Sequence, residues 1–277
     1  MLRITPSAHP PYACCDLRGS LYSPQLVHYT QRMLDIPPEL IHRLKAARSV
    51  AVLTGAGISA ESGVPTFRDA QTGLWARFSP EELATPGAFE RDPRLVWDWY
   101  EWRRGLVAKA QPNAGHLALA RMASRFATFT LITQNVDSLH QRAGSRDVIE
   151  LHGNIARIKC SGGCGVVEHF AEDEAPPRCG QCGAFLRPDV VWFGEMLPVD
   201  ALERANDAAT RCDVFMSVGT SALVYPAAEL PLMALRAGAT VVEVNPQETA
   251  LTARVHHALQ RPAGIVLPAL LDGLGEQ

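Results

Sequence analysis

Short, unbroken apolar runs recur along this chain, and each ends in small or polar residues. Val50-Ala51-Val52-Leu53 passes into Thr54-Gly55-Ala56-Gly57, and the same grammar returns at Phe129 to Thr133, Val214 to Gly219 and Thr240 to Asn245. Apolar runs without alternation read as strands buried on both faces. Stretches of helical character lie among them at Pro38 to Ala47, Ala114 to Phe126 and Pro226 to Ala237. Strands alternating with helices predict an α/β fold built on a doubly wound parallel sheet. In that architecture the strand ends share one carboxyl edge, which gathers Gly55, Gln134, Gly219 and Asn245 where ligands bind.

Three segments break the pattern. Residues 1–35 hold Pro10-Pro11, Cys14-Cys15 and scattered arginines with little periodicity, and read as a weakly ordered N-terminal extension. Residues 66–112 carry four of the five tryptophans and read as a helical layer over the sheet edge. The stretch from Cys160 to Arg187 is rich in Gly, Pro and Cys and lacks such runs. The expected organisation is a Rossmann-like domain made of residues 36–152 and 188–277, with a small zinc-binding module inserted at 153–187.

Composition narrows the function classes. A formal net charge of −3 offers no basic footprint for phosphates, so nucleic acid is not the expected partner. No apolar run is long enough to span a bilayer. Of seven cysteines, four stand in two close pairs, a usage that fits a reducing compartment better than a disulfide framework. The expectation is a cytoplasmic monomer. The alternative, a mitochondrial presequence, has Arg3, Arg18 and Arg32 in its favour and Pro10-Pro11 against it.

The cysteines carry the firmest chemistry. Cys160/Cys164 and Cys179/Cys182 form C-x3-C and C-x2-C pairs separated by 14 residues and flanked by glycines. Four thiolates complete a tetrahedral Zn²⁺ shell without an open position, so the site is expected to be structural. Such a site contributes roughly 10 kcal/mol or more to the folding of a module too small for a core of its own.

Other motifs are ambiguous taken singly. Gly55-Ala56-Gly57-Ile58-Ser59 after a strand suits close approach of backbone N–H groups to a pyrophosphate, yet many strand ends carry glycines for the turn alone. Gln134-Asn135-Val136-Asp137 offers amides and a carboxylate for a carboxamide and a ribose, or is simply a polar turn. His152 stands just before the first cysteine pair, as a structural hydrogen-bonding residue, a metal ligand or a general base.

In order along the chain, Gly55-Ala56-Gly57-Ile58-Ser59, Pro65-Thr66-Phe67-Arg68, Thr133-Gln134-Asn135-Val136-Asp137, Leu151-His152-Gly153, the four cysteines, Val191-Trp192-Phe193-Gly194-Glu195, Gly219-Thr220-Ser221 and Val244-Asn245-Pro246 resemble the sirtuin family. The match runs from about Ile36 to Leu271. The resemblance implies an enzyme that removes acyl groups from protein lysines while consuming NAD, giving nicotinamide and O-acyl-ADP-ribose. It makes His152 the general base. It places Asn135 and Asp137 in the nicotinamide pocket, Gly55, Ala56, Gly57, Ser59 and Arg68 at the phosphates, and Gly219, Thr220, Ser221, Asn245 and Ala263 at the adenosine half. Phe67, Trp75, Gln134, Val136 and Pro246 complete the implied NAD contacts. Val191, Phe193, Gly194 and Glu195 resemble the strand against which an extended acyl-lysine peptide adds by main-chain bonds. Asp189 departs from the family pattern, where histidine is common.

Tyr100 and Arg103, three apart on an expected helix, share one face. Spacing alone favours a buried tyrosine beside a solvated arginine. The resemblance, to the class III members that carry Tyr-x-x-Arg and a small residue at the position of Ala70, implies instead a pocket for succinyl or malonyl groups. A charge-assisted hydrogen bond of roughly 1.5–3 kcal/mol favours such groups about ten- to a hundredfold without excluding acetyl. Two other readings compete. An ADP-ribosyltransferase leaves this pair without a purpose, and a non-enzymatic zinc adaptor leaves the sheet edge unexplained.

Overall fold

The computed structural model describes residues 36–65, 80–171 and 174–275. The extension 1–35, residues 66–79 of the expected helical layer, and with them the candidate residues Phe67, Arg68, Ala70 and Trp75 lie outside them.

The four apolar runs are strands. β1 (Ser49–Thr54), β2 (Thr128–Thr133), β6 (Val214–Val218) and β7 (Thr240–Val244) form the middle of a six-stranded sheet, flanked by the short β3 (Ile149–Glu150) and β8 (His257–Leu259). All neighbouring pairs are parallel, in the order β3-β2-β1-β6-β7-β8. Val50 to Leu53, Val214 to Met216 and Val241 to Val244 are buried, as strands covered on both faces must be. Strand order reverses between β1 and β6, so the crevice for a ligand opens at their carboxyl ends.

Helices cover the sheet. α1 (Pro38–Ala46), α2 (Ala56–Ala60) and α3 (Pro80–Leu83) are followed by α4 (Pro86–Arg91) and α5 (Pro93–Lys109). α6 (Ala114–Met122), α7 (Leu139–Arg142), α8 (Val199–Arg211), α9 (Leu230–Arg236) and α10 (Ala263–Leu274) complete the set among the described residues. The two expected helices that came out shorter have local causes. Past Met122 the chain tightens into a 3-10 turn, where Ser124 Oγ donates to the Arg121 carbonyl and competes with the helical pattern. Pro231 lacks an N–H, so it sits in the first turn of α9, and the residues before it form a 3-10 turn instead of α-helix.

α5 is capped by Asp92, whose carboxylate accepts the Leu95 N–H at 2.9 Å, and starts at Pro93. It buries Val96, Trp97, Trp99, Tyr100 and Val107. The cysteine-bearing segment is carried by an antiparallel pair, β4 (Gly153–Cys160) and β5 (Leu186–Val190). Cys160 is thus the last residue of a strand. Asp189, the departure from the family pattern, ties the pair together by accepting Arg157 Nε at 2.9 Å.

Candidate functional site

Two loops meet at the switch point. Gly57 N–H donates to the Gly219 carbonyl at 2.8 Å, and a Cβ on Gly57 would stand 2.7 Å from that oxygen. Gly219 has φ +61°, and a Cβ there would lie 2.4 Å from Ile58 N. The glycines are therefore demanded by the approach of the β1 and β6 ends to each other, before any phosphate is considered. Gly219 N–H in turn donates to Val244 O at 2.9 Å, which links the ends of β6 and β7. Thr220 Oγ1 pairs with Ser217 Oγ at 3.0 Å, and Ser221 is half-buried beside it. Asn245 Nδ2 donates to Gln247 O at 2.7 Å, while Pro246 is exposed. Ala263 is buried at the start of α10.

The β2 end closes on the same loop. Asn135 Nδ2 donates to Gly55 O at 3.0 Å and to Ser59 Oγ at 3.1 Å. Ser59 Oγ donates to Asp137 Oδ2 at 2.6 Å, and the other Asp137 oxygen accepts Leu139 N–H at 2.9 Å. Each carboxylate oxygen of Asp137 thus accepts one internal donor, and Ser59 links it to Asn135.

Two buried histidines, His116 and His140, stand behind this network, and the motif reading missed both. Their rings lie 4.8 Å apart. His140 Nε2 is 2.9 Å from Thr54 Oγ1, and its Nδ1 has no partner among the described residues. Protonation there would create a buried N–H without an acceptor. Burial, with His116 adding to it, holds His140 at about 3. Burial also lowers His116 to about 4, against the pull of Asp137. Unfolded, both would titrate near about 6.5. Between those values only the unfolded chain takes up the protons, so the stability they confer is complete above about pH 6.5 and drains as pH falls through about 4 for His116 and about 3 for His140. The urea midpoint of unfolding should fall from pH 7 to pH 5; a midpoint that holds or rises would contradict neutral histidines in the core.

His152 lies between β3 and β4, half-buried. Its Nδ1 is 2.9 Å from the carbonyl of Gln134, which can only accept, so Nδ1 carries the proton and Nε2 is the basic nitrogen. Burial lowers its pKa, and the Gln134 bond opposes this in part. The His152 carbonyl accepts Val191 N–H at 2.9 Å, which brings the segment after β5 alongside.

That segment, expected as a strand over Val191 to Glu195, is an extended step and a turn. β5 ends at Val190. Trp192 N–H donates to Glu195 Oε2 at 2.8 Å, Glu195 N–H to Trp192 O at 2.9 Å, and Phe193 N–H to Ala84 O at 2.9 Å. Glu195 is gripped by Arg187, Nη1 to Oε1 at 2.5 Å and Nη2 to Oε2 at 2.9 Å. These side-chain bonds fold the strand continuation back on itself.

Tyr100 comes to the same place from α5. Its hydroxyl oxygen accepts Trp192 Nε1–H at 2.9 Å. Burial pushes its pKa up, over the opposing pulls of that bond and of Arg103, so the hydroxyl keeps its proton. Arg103 is half-buried with its guanidinium 5.1 Å from the Trp99 ring centroid. Its neighbour Arg104 serves another end, donating through Nε to Ile155 O at 2.9 Å.

The sulfur atoms of Cys160, Cys164, Cys179 and Cys182 all lie within 4.8 Å of one another. Tetrahedral zinc with bonds of about 2.3 Å needs sulfurs about 3.8 Å apart, so the cluster fits the ion and closes its shell. Cys212 stands apart, half-buried, its thiol pushed up to about 11 by burial.

No helix among the described residues is long and apolar enough to cross a membrane. Residues 55–226 match the model of the Sir2 family. The NAD-dependent protein deacylase of Ralstonia nicotianae is 58% identical over 229 residues, covering 82% of this chain and 93% of that protein. A crystal structure of a Sir2 homologue–NAD complex superposes with a TM-score of 0.81 at 46% identity, over 87% of this chain and 94% of that one. A Sir2–p53 peptide–NAD⁺ structure does so at 0.75 and 34%, over 84% and 96%. The chain therefore belongs to the Sir2 family.

Proposed function

We propose that this chain, an NAD-dependent protein deacylase, takes acyl groups that end in a carboxylate, succinyl and malonyl, in preference to acetyl. The observation that carries the reading is the position of Tyr100. It sits against Trp192, one residue from Val191, whose N–H is bonded to His152. A protonated phenol and a guanidinium three residues apart on α5, the phenol linked through Trp192 to the segment bonded to His152, form a pair suited to a terminal carboxylate.

Within that reading His152 Nε2 is the general base. NAD is the co-substrate, and its ribose carbon is attacked by the acyl oxygen as nicotinamide leaves. His152 then draws a proton from a ribose hydroxyl, so that this oxygen attacks the bound acyl carbon; the lysine nitrogen leaves with that proton, and water adds to the cyclic acyl cation that remains, giving O-acyl-ADP-ribose. Asn135 and Asp137, through Ser59, shape the nicotinamide end. Gly55 to Ser59, with Arg68, hold the phosphates, and Gly219 to Ser221, Asn245, Pro246 and Ala263 the adenosine half. The peptide of a protein substrate runs extended along Val191 to Glu195. The N–H groups of Val191, Trp192, Phe193 and Glu195 are already engaged, so the main-chain bonds it makes there fall to the carbonyls and to Gly194.

Mass spectrometry of matched succinyl-, malonyl- and acetyl-lysine peptides, with and without NAD, tests the reading. Arg103→Met should cut desuccinylation about ten- to a hundredfold and leave deacetylation within about threefold. Equal losses on both would remove Arg103 from acyl selection.

A further inference from the structure

We propose that Trp192 is a positioning residue for acyl selectivity, acting through the direction in which it holds the Tyr100 proton. The inference rests on the reading of Tyr100 and Arg103 as the carboxylate-binding pair. An indole nitrogen can only donate, so at 2.9 Å the Tyr100 oxygen must be the acceptor. The phenolic proton is thereby turned away from Trp192 and left for a second partner. A hydroxyl that accepts one hydrogen bond is also a stronger donor in the next. An acyl carboxylate, which only accepts, is the complement of a donor presented in this way.

The indole is itself immobilised. Trp192 is 2% exposed, with its backbone N–H on Glu195 Oε2 at 2.8 Å. The Arg187 guanidinium lies 3.1 Å from its ring centroid, held by Glu195 and by Val190 O at 2.8 Å. Phe89 packs at 5.3 Å between centroids. A cation against the ring face draws density from the indole and strengthens its N–H as a donor. If Trp192 were only a packing residue between α5 and β5, its ring would matter and its nitrogen would not.

The test removes the nitrogen and keeps an aromatic ring. For Trp192→Phe, Tyr100→Phe and the double variant, kcat/KM is measured on succinyl- and acetyl-lysine peptides of one sequence. Trp192→Phe should lower the succinyl-to-acetyl ratio roughly five- to twentyfold, chiefly through a raised KM for the succinyl peptide. In the Tyr100→Phe background the same change should leave the ratio within about twofold, because the two act as one unit. A parallel loss on both peptides, or effects on the ratio that multiply in the double variant, overturns the proposal. Should Trp192→Phe fail to fold, the ¹⁵N-indole resonance of Trp192 in the wild-type protein decides. It should shift with succinyl-lysine peptide and hold still with acetyl-lysine peptide, and equal shifts count against it. A wild-type enzyme without desuccinylase activity sinks the carboxylate-pair reading itself, whereas a desuccinylating wild type with an unchanged Trp192→Phe ratio sinks only the role of Trp192.

Discussion

His152→Asn should lower NAD-dependent deacylation of every acyl-lysine peptide by about 10²- to 10⁴-fold, the usual range for loss of a positioned general base. Asparagine can still donate to the Gln134 carbonyl that now holds Nδ1 at 2.9 Å, so the loop is disturbed little and the loss reports on Nε2. NAD binding, followed by calorimetry, should change far less than turnover. Because the base works only when neutral, kcat/KM falls as pH drops through the histidine pKa. Burial lowers that pKa, so the acid limb should lie below about pH 6.5. Retained turnover in His152→Asn, or an acid limb above neutrality that persists in the variant, would dismiss His152 as the base.

Part of this site is legible in the sequence because it is local, and the rest is not because it is made by distant contacts. Four apolar runs ending in small residues suffice for the parallel sheet, since strands buried on both faces have no polar alternation to conceal. The edge strands escape the same reading: Ile149-Glu150 is two residues long, and His257-Ala258-Leu259 has no apolar run. The four cysteines announce their cluster through spacing, because metal ligands must sit on tight turns. By contrast, Tyr100 and Trp192 are 92 positions apart, and nothing in either segment points to the other. The same holds for Thr54 and His140, 86 apart. His116 had one local sign, its capping box with Asn113, but that explains a helix start and not its place 3.5 Å from Ser59 Oγ. Gly57 shows how a motif residue can answer to a structural constraint. The turn motif reads as an approach to phosphate, while its immediate constraint is the Gly219 carbonyl.

Removing zinc should unfold the segment between β4 and β5 and carry the deacylase activity with it. The apolar support there is small, a cluster of Trp97, Ile158, Cys160, Cys179 and Leu186. Against it stands the metal's contribution, on the order of 10 kcal/mol for a four-thiolate site. Without the ion, four thiols within 4.8 Å of one another have no common partner, and deprotonating them only adds repulsion. Activity follows because β5 leads directly into Val191 and Trp192, which hold the backbone of His152 and the hydroxyl of Tyr100. Treatment with a strong chelator, or Cys164→Ser, should therefore expose residues 161–185 to protease and abolish turnover on both acetyl and succinyl peptides. The sheet should meanwhile persist in far-ultraviolet circular dichroism, because its central strands draw their stability from the Ala51, Ile132, Phe215 and Val241 core. Cys212→Ser, outside the cluster, is the control and should keep both zinc and activity. One zinc per chain in the untreated protein, with turnover restored by zinc after chelation, completes the expected pattern. Full activity in metal-free protein would show instead that the thiols, and not the ion, hold β5 in place.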